Sequence, residues 1–291
     1  MSALFASDAA GTRARFSELK RYMEREVLSA SGEFVCTSCQ ACRSSVPPTL
    51  DYFEGQMSHV GPHYDLSVDG QPFRVMILGQ EYGHGPSHCG FDDRRDVVEN
   101  VSGLDRRYYA EEGHHARNPH MRGTTSALRV LFGLGLGTSW DEEFLDLAGE
   151  RAHIFEAFAL INLLLCSAVE PGKEQLAVPE SGGVGRSSTT MRRNCLRHFC
   201  ATVRALEPTV LVVEGKGVGH AIAPIIEDEQ PVLPDGLVSR IRIAGVPIII
   251  CRLTHPSAPS GRFAWGDKLT RPYLLQTAQP ALAEARRQAL T

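Results

Sequence analysis

Four short apolar runs constrain the fold of this chain more than any other feature. They are residues 73–78 (FRVMIL), 157–165 (AFALINLLL), 209–213 (TVLVV) and 246–251 (VPIIIC). Each is too short for a helix that buries its whole circumference, each lacks apolar/polar alternation, and each gives way to polar residues or glycine. That pattern predicts strands buried on both faces, as in a parallel sheet. Helical patterns between the runs supply the crossovers that parallel strands need. The expected fold is therefore α/β, a three-layer αβα sandwich with a central four-stranded, mainly parallel sheet. In such sheets ligands bind beyond the carboxyl ends of the strands, so the residues directly after each run carry the functional argument.

Between the runs, residues 12–30 place Phe16, Leu19, Tyr22 and Met23 at helical spacing among charges, and residues 189–206 also read as a helix. Residues 36–62 combine CxxCxxC with Pro and Gly and read as an irregular strap, with the β/α core expected to begin after it. Residues 84–122 are rich in His, Asp and Arg without strong periodicity; an insertion of this length is expected to be partly helical and functional. The 291 residues, 43% apolar and 22% charged, suffice for one well-packed domain. The expected division of residues 1–291 is an N-terminal helix and strap over 1–62, a catalytic core over 63–275 and a C-terminal helix over 276–291.

A formal charge of −4 gives no global attraction to a polyanion, so any nucleic-acid contact must use a local basic surface. No stretch has the roughly 18 uninterrupted apolar residues of a membrane span, and the first residues lack a secretory core. A cytoplasmic protein that does not engage membranes is expected. Its eight cysteines then point to metal binding rather than to a disulfide framework.

Three segments stand at successive strand ends: Gly79-Gln80-Glu81-Tyr82-Gly83-His84-Gly85-Pro86, then Leu160-Ile161-Asn162-Leu163-Leu164, then His255-Pro256-Ser257-Ala258-Pro259-Ser260-Gly261-Arg262-Phe263. Together they resemble the uracil-DNA glycosylase superfamily, whose water-activating loop reads GQDPYHGP in one branch and GEAPG in the iron–sulfur branch. The loop here looks like a hybrid of the two. The resemblance runs in order from about Cys36 to Tyr273 and implies an enzyme that extrudes a nucleotide, encloses its base and hydrolyses the base–sugar bond. Its partner would be DNA containing the target base. A monomer is expected, since base flipping needs no symmetry mate.

The resemblance assigns roles residue by residue. Glu81 takes the place of the Asp that orients the attacking water and faces the cationic sugar, although it is one methylene longer. His255 corresponds to the histidine that donates to the departing pyrimidine. Asn162 interrupts an apolar strand, where a buried amide needs partners; by resemblance it reads the base edge. Gly79, Gln80 and Tyr82 would line the base pocket, and Phe91 lies where the family places a ring that stacks on the base. Ser257, Ser260 and Arg262 suit contacts to phosphates. Plain structural roles remain open for several of these: a turn cap for Glu81, a core ring for Phe91, a backbone-bonded core amide for Asn162.

At Gly83 the GQDPYH branch has a tyrosine that excludes C5-substituted pyrimidines. Its absence, with the 84–122 insertion, leaves two substrates open: uracil, which is the first expectation, or a bulky C5-modified pyrimidine such as a modified cytosine of phage DNA, which implies antiviral defence. A non-catalytic module that binds damaged DNA is the alternative from another class. A nucleotide-phosphate loop at Gly215-Lys216-Gly217 is disfavoured, because EGKGVG lacks the GxxxxGK[ST] pattern. No lysine is visibly placed for a lyase step.

Cys36, Cys39, Cys166 and Cys195 resemble the four-cysteine set that holds a structural [4Fe–4S] cluster in the iron–sulfur branch. Zinc bound by four thiolates would satisfy the same residues. The 28 residues between Cys166 and Cys195 exceed the expected spacing, and Cys42 is a spare candidate ligand. Cys89, Cys200 and Cys251 read as ordinary thiols.

Overall fold

A computed structural model describes residues 5–82, 87–104, 106, 117–171 and 187–291. Its main sheet has seven strands, in the order Ile226–Pro231, Val238–Ile243, Val246–Leu253, Val210–Glu214, Val75–Gly79, Phe158–Asn162 and His59–Val60. Pairing is parallel from Val246–Leu253 through Val210–Glu214 and Val75–Gly79 to Phe158–Asn162, and antiparallel at both edges. The sheet is thus wider than the four strands expected, and mixed. The extra strands escape an apolar-run search for physical reasons. Ile226–Pro231 (IEDEQP) is largely exposed, while Val238–Ile243 alternates buried residues with the outward Arg240 and Arg242. A tight turn at Ala244 and Gly245, both at positive φ, returns the chain from Val238–Ile243 to Val246–Leu253.

Because side chains alternate across a strand, each parallel strand feeds two apolar layers. Val75, Ile77, Val210, Val212, Phe158 and Leu160 pack on one face against helices α4 (Pro119–Leu131) and α7 (Gln279–Ala289). Met76, Leu78, Leu211, Val213, Ala159 and Ile161 pack on the other against α1 (Ala9–Glu26) and α5 (Thr189–Leu206). At roughly 1.5–3 kcal/mol per fully buried large apolar side chain, these two layers dominate the stabilisation.

The helix ends follow local chemistry. Asp8 accepts from the backbone of Ala10 and Gly11 to start α1. Asn118 and Ser188 accept from Met121 and Met191 to start α4 and α5. The expected irregular strap requires correction. It contains a short helix at Cys39–Ser44, a strand at Asp51–Glu54 that pairs with Cys166–Val169, and the sheet strand His59–Val60. The sheet therefore begins before residue 63. Within the 84–122 stretch, a helix at Phe91–Arg95 runs into a wider turn at Asp96–Gly103, and α4 begins at Pro119. The buried Arg117 guanidinium donates to the carbonyls of Ser102 and Gly103 and pairs with Glu143 at 2.8 Å. It ties Arg117 to the end of the Asp96–Gly103 turn.

Candidate functional site at the strand ends

The parallel strands deliver Gly79, Asn162, Glu214 and Leu253 to one edge of the sheet. Gly79 is the register partner of Asn162, and Glu214 that of Leu253. The chain beyond Gly79 is then fixed by its neighbour, as Leu163 and Leu164 donate to the carbonyls of Gly79 and Gln80 at 3.0 and 2.8 Å. His255 follows two residues after Leu253. The geometry thus brings Gly79, Gln80, Glu81, Asn162 and His255 to the same end of the sheet.

Asn162 is 6% exposed, and its Nδ2 has no hydrogen-bond partner among the described residues. Leaving a buried donor unsatisfied costs about 1–3 kcal/mol. An amide held this way at the carboxyl end of a strand is set up for a ligand to complete.

Glu81 accepts from Gln80 Nε2 at 2.8 Å and from the Ala168 backbone at 3.0 Å. Burial pushes its carboxyl above the ordinary range, against the lowering effect of hydrogen bonds from Gln80, Ala168 and Ser187. The Tyr82 ring carries the guanidinium of the buried Arg94 at 4.1 Å, and burial raises the phenol pKa.

On the third loop, the Ser257 backbone N–H donates to His255 Nδ1 at 3.1 Å. Nδ1 is therefore unprotonated, and a neutral ring carries its proton on Nε2. Burial, reinforced by the adjacent His120, pushes the His255 pKa down to about 3. The ring is a neutral Nε2–H donor throughout the physiological range. The base of the loop is locked: Trp265 is fully buried and donates to the Thr254 carbonyl, while Thr254 Oγ1 donates to the Phe263 carbonyl. Its tip is open, with Ser257, Ser260 and Arg262 exposed. The partly exposed Phe263 ring lies 5.4 Å from the Lys216 ammonium and 5.5 Å from the Arg262 guanidinium. Lys216 and Arg262 thus place two cations beside one exposed ring at this loop.

Two expectations stand apart from this cluster. Phe91 packs edge-on against Phe16 of α1 at 5.1 Å, and Gly83 lies outside the described residues. Two residues were missed. Glu214 ends its strand fully buried, and His120 of α4 stacks on His255 with ring centres 5.2 Å apart and planes 13° apart. Glu214 carries the same signal as Asn162, a polar residue closing an apolar run; His120 carries no signal in its local pattern.

Away from this edge, Cys36, Cys39, Cys42, Cys166 and Cys195 line one cavity together with Tyr52, Asn194 and His198. All eight cysteines are free thiols. Burial pushes Cys39 up to about 11 and Cys195 up to about 12, and raises Cys42 and Cys166 as well. Although five thiols share the cavity, no three His, Cys, Asp or Glu side chains among the described residues converge on a single ion position. A soft, sulfur-rich donor set in a largely buried cavity fits an iron–sulfur cluster or zinc. Cys42 belongs to this set on position: it is buried one turn beyond Cys39, and Asn194 Nδ2 approaches its sulfur at 3.4 Å.

Among the described residues no helix is long and apolar enough to cross a membrane. No family model matches the chain, and no curated protein matches it at a significant level.

Proposed function

We propose that the chain is a DNA glycosylase of the uracil-DNA glycosylase type, hydrolysing the bond between a flipped-out pyrimidine, in the first instance uracil, and its deoxyribose. The observation that carries this reading is the buried, unpartnered Asn162 amide at the same sheet edge as a neutral His255.

In this reading the Asn162 carboxamide pairs with the donor and acceptor edge of the base, satisfying its own orphaned Nδ2. The C1′–N1 bond breaks with its electron pair passing to the base, and His255 Nε2–H donates to the pyrimidine O2 as negative charge develops there. The ionised Glu81 carboxylate faces the positive sugar and orients the water whose oxygen bonds to C1′; the proton this water loses balances the one the base anion takes up, leaving a neutral free base and an abasic site. Gly79, Gln80 and Tyr82 wall the pocket. Ser257, Ser260 and Arg262, with Lys216, contact phosphates and position the strand. The three-layer, uracil-DNA-glycosylase-like arrangement of sheet and helices is part of the same proposal.

Cys36, Cys39, Cys166 and Cys195 would hold a [4Fe–4S] cluster, with Cys42 at hand. When bound, the cluster supplies a structural tie between the N-terminal segment, the strand Cys166–Val169 and α5, and takes no part in base release.

The test is incubation of the purified protein with oligonucleotides containing uracil, thymine, 5-hydroxymethylcytosine or glucosylated cytosine, with released base detected by mass spectrometry. Release of uracil supports the reading. Release of a modified base alone keeps the chemistry and changes the substrate, while binding with no release from any oligonucleotide overturns it in favour of a binding module.

A further inference from the structure

Glu214 and His120 contact each other beside His255 and belong to none of the three loops. Glu214 is fully buried at the end of its strand, and its Oε2 lies 2.7 Å from His120 Nε2. Neither carboxylate oxygen has a hydrogen-bond donor in good geometry among the described residues. A carboxyl buried in this way needs a proton close by, and the His120 ring is the group in contact with it. The same His120 ring presents its face to His255.

This packing is specified. A Cβ on Gly123 of α4 would run into the Pro256 ring, and one on Gly266 would run into the Pro119 carbonyl. Arg122 Nε donates to the Gly266 carbonyl at 2.9 Å. The two glycines let the first turn of α4 close directly on the His255 loop, which puts His120 over His255. The other charged groups on the elements packed here are Lys216 beyond Glu214, Arg122 and Arg129 on α4, and Arg262, Asp267, Lys268 and Arg271 on the segment after His255.

Resting on the glycosylase reading, we propose that His120, charged through Glu214, is a positioning residue for His255. It clamps one face of the ring, holding Nε2–H in place, and adds its charge to the burial that keeps a second proton off His255. Two stacked, half-buried imidazoles resist carrying a charge each, and the Glu214 carboxylate at His120 favours the charge there. The same imidazolium sets a fixed positive charge one ring away from where the departing base becomes negative.

The test uses full-length protein, comparing wild type with His120→Phe, which keeps a flat ring but not the charge, and with Glu214→Gln. Histidine-ring nitrogen NMR reads the pair without reference to activity. In wild type at pH 6, His120 should be the imidazolium and His255 the neutral Nε2–H tautomer. In His120→Phe, His255 should protonate about one pH unit higher, a tenfold gain in proton affinity. Single-turnover base release by both variants should slow by about tenfold, with DNA affinity and the acid limb set by Glu81 kept. A neutral His120 in wild type, an unmoved His255 titration in His120→Phe, or wild-type release rates in both variants would overturn the proposal. If wild type releases no base, the glycosylase reading fails by itself, and the ring spectra still decide the pair.

Discussion

The backbone N–H of Ser257 donates to Nδ1 of His255 at 3.1 Å, and this contact fixes which ring nitrogen of His255 carries the proton. Because the donor is main chain, Ser257→Ala should leave the tautomer and the chemical step intact and weaken only DNA binding. His255→Ala removes the Nε2–H donor and should slow single-turnover base release by about 10²–10³-fold, the usual loss for a donor aimed at developing negative charge. Rapid-quench rates and DNA affinities measured on both variants check the contrast.

Glu81 sets the pH dependence. Release requires its ionised form, and burial holds its pKa above the ordinary carboxylate range. Activity should therefore decline on acidification while free carboxylates are still ionised, at a pH well above the point at which His255 gains a proton. Glu81→Gln should be slow at every pH and lack this limb. A pH–rate profile of the two proteins decides it.

Asn162 should trade stability for recognition. Replacing the amide with a similarly shaped apolar side chain removes an unsatisfied buried donor, so Asn162→Leu should raise unfolding stability by about 1 kcal/mol. The same change should abolish discrimination between bases. Denaturant unfolding and the base-release panel measure the two effects separately, and a large loss of stability would show that the amide is satisfied within the fold.

For the cysteine cavity, protein purified without oxygen should contain iron and acid-labile sulfide, and Ser at Cys36, Cys166 or Cys195 should remove most of both. Zinc without sulfide would replace the cluster with a single-ion site. Full metal retention in the Cys166 and Cys195 variants would remove the cavity from consideration.

The tie between Arg117 and the Asp96–Gly103 turn depends on a fully buried ion pair. Arg117 and Glu143 are joined at 2.8 Å, and His153 Nε2 meets the same carboxylate at 2.9 Å. Glu143→Ala takes this carboxylate from a buried guanidinium and should destabilise the fold by about 3–5 kcal/mol, visible as a lowered Tm.

The four apolar runs and α5, found at Thr189–Leu206 as expected, were legible because burial on both faces, or on one helical face, leaves a direct pattern in the sequence. The edge strands were not: His59–Val60 spans two residues, and Ile226–Pro231 faces solvent, so neither needs an apolar run. The site divides in the same way. Asn162 was visible as a polar break in an apolar strand. Glu214 offered the same cue but sat in a turn read only for phosphate binding. His120 reaches His255 only because Gly123 and Gly266 let two distant segments touch, and no local pattern encodes that contact.

The most direct test of the account is single-turnover incubation of wild type, Glu81→Gln and His255→Ala with one duplex carrying a single uracil, scored for free uracil and alkali-labile abasic sites in equal amounts. The account predicts stoichiometric release by wild type and release slowed by at least about 10²-fold in each variant that still binds the duplex. Equal rates in all three proteins would contradict the site, and binding without release by wild type would contradict the glycosylase itself.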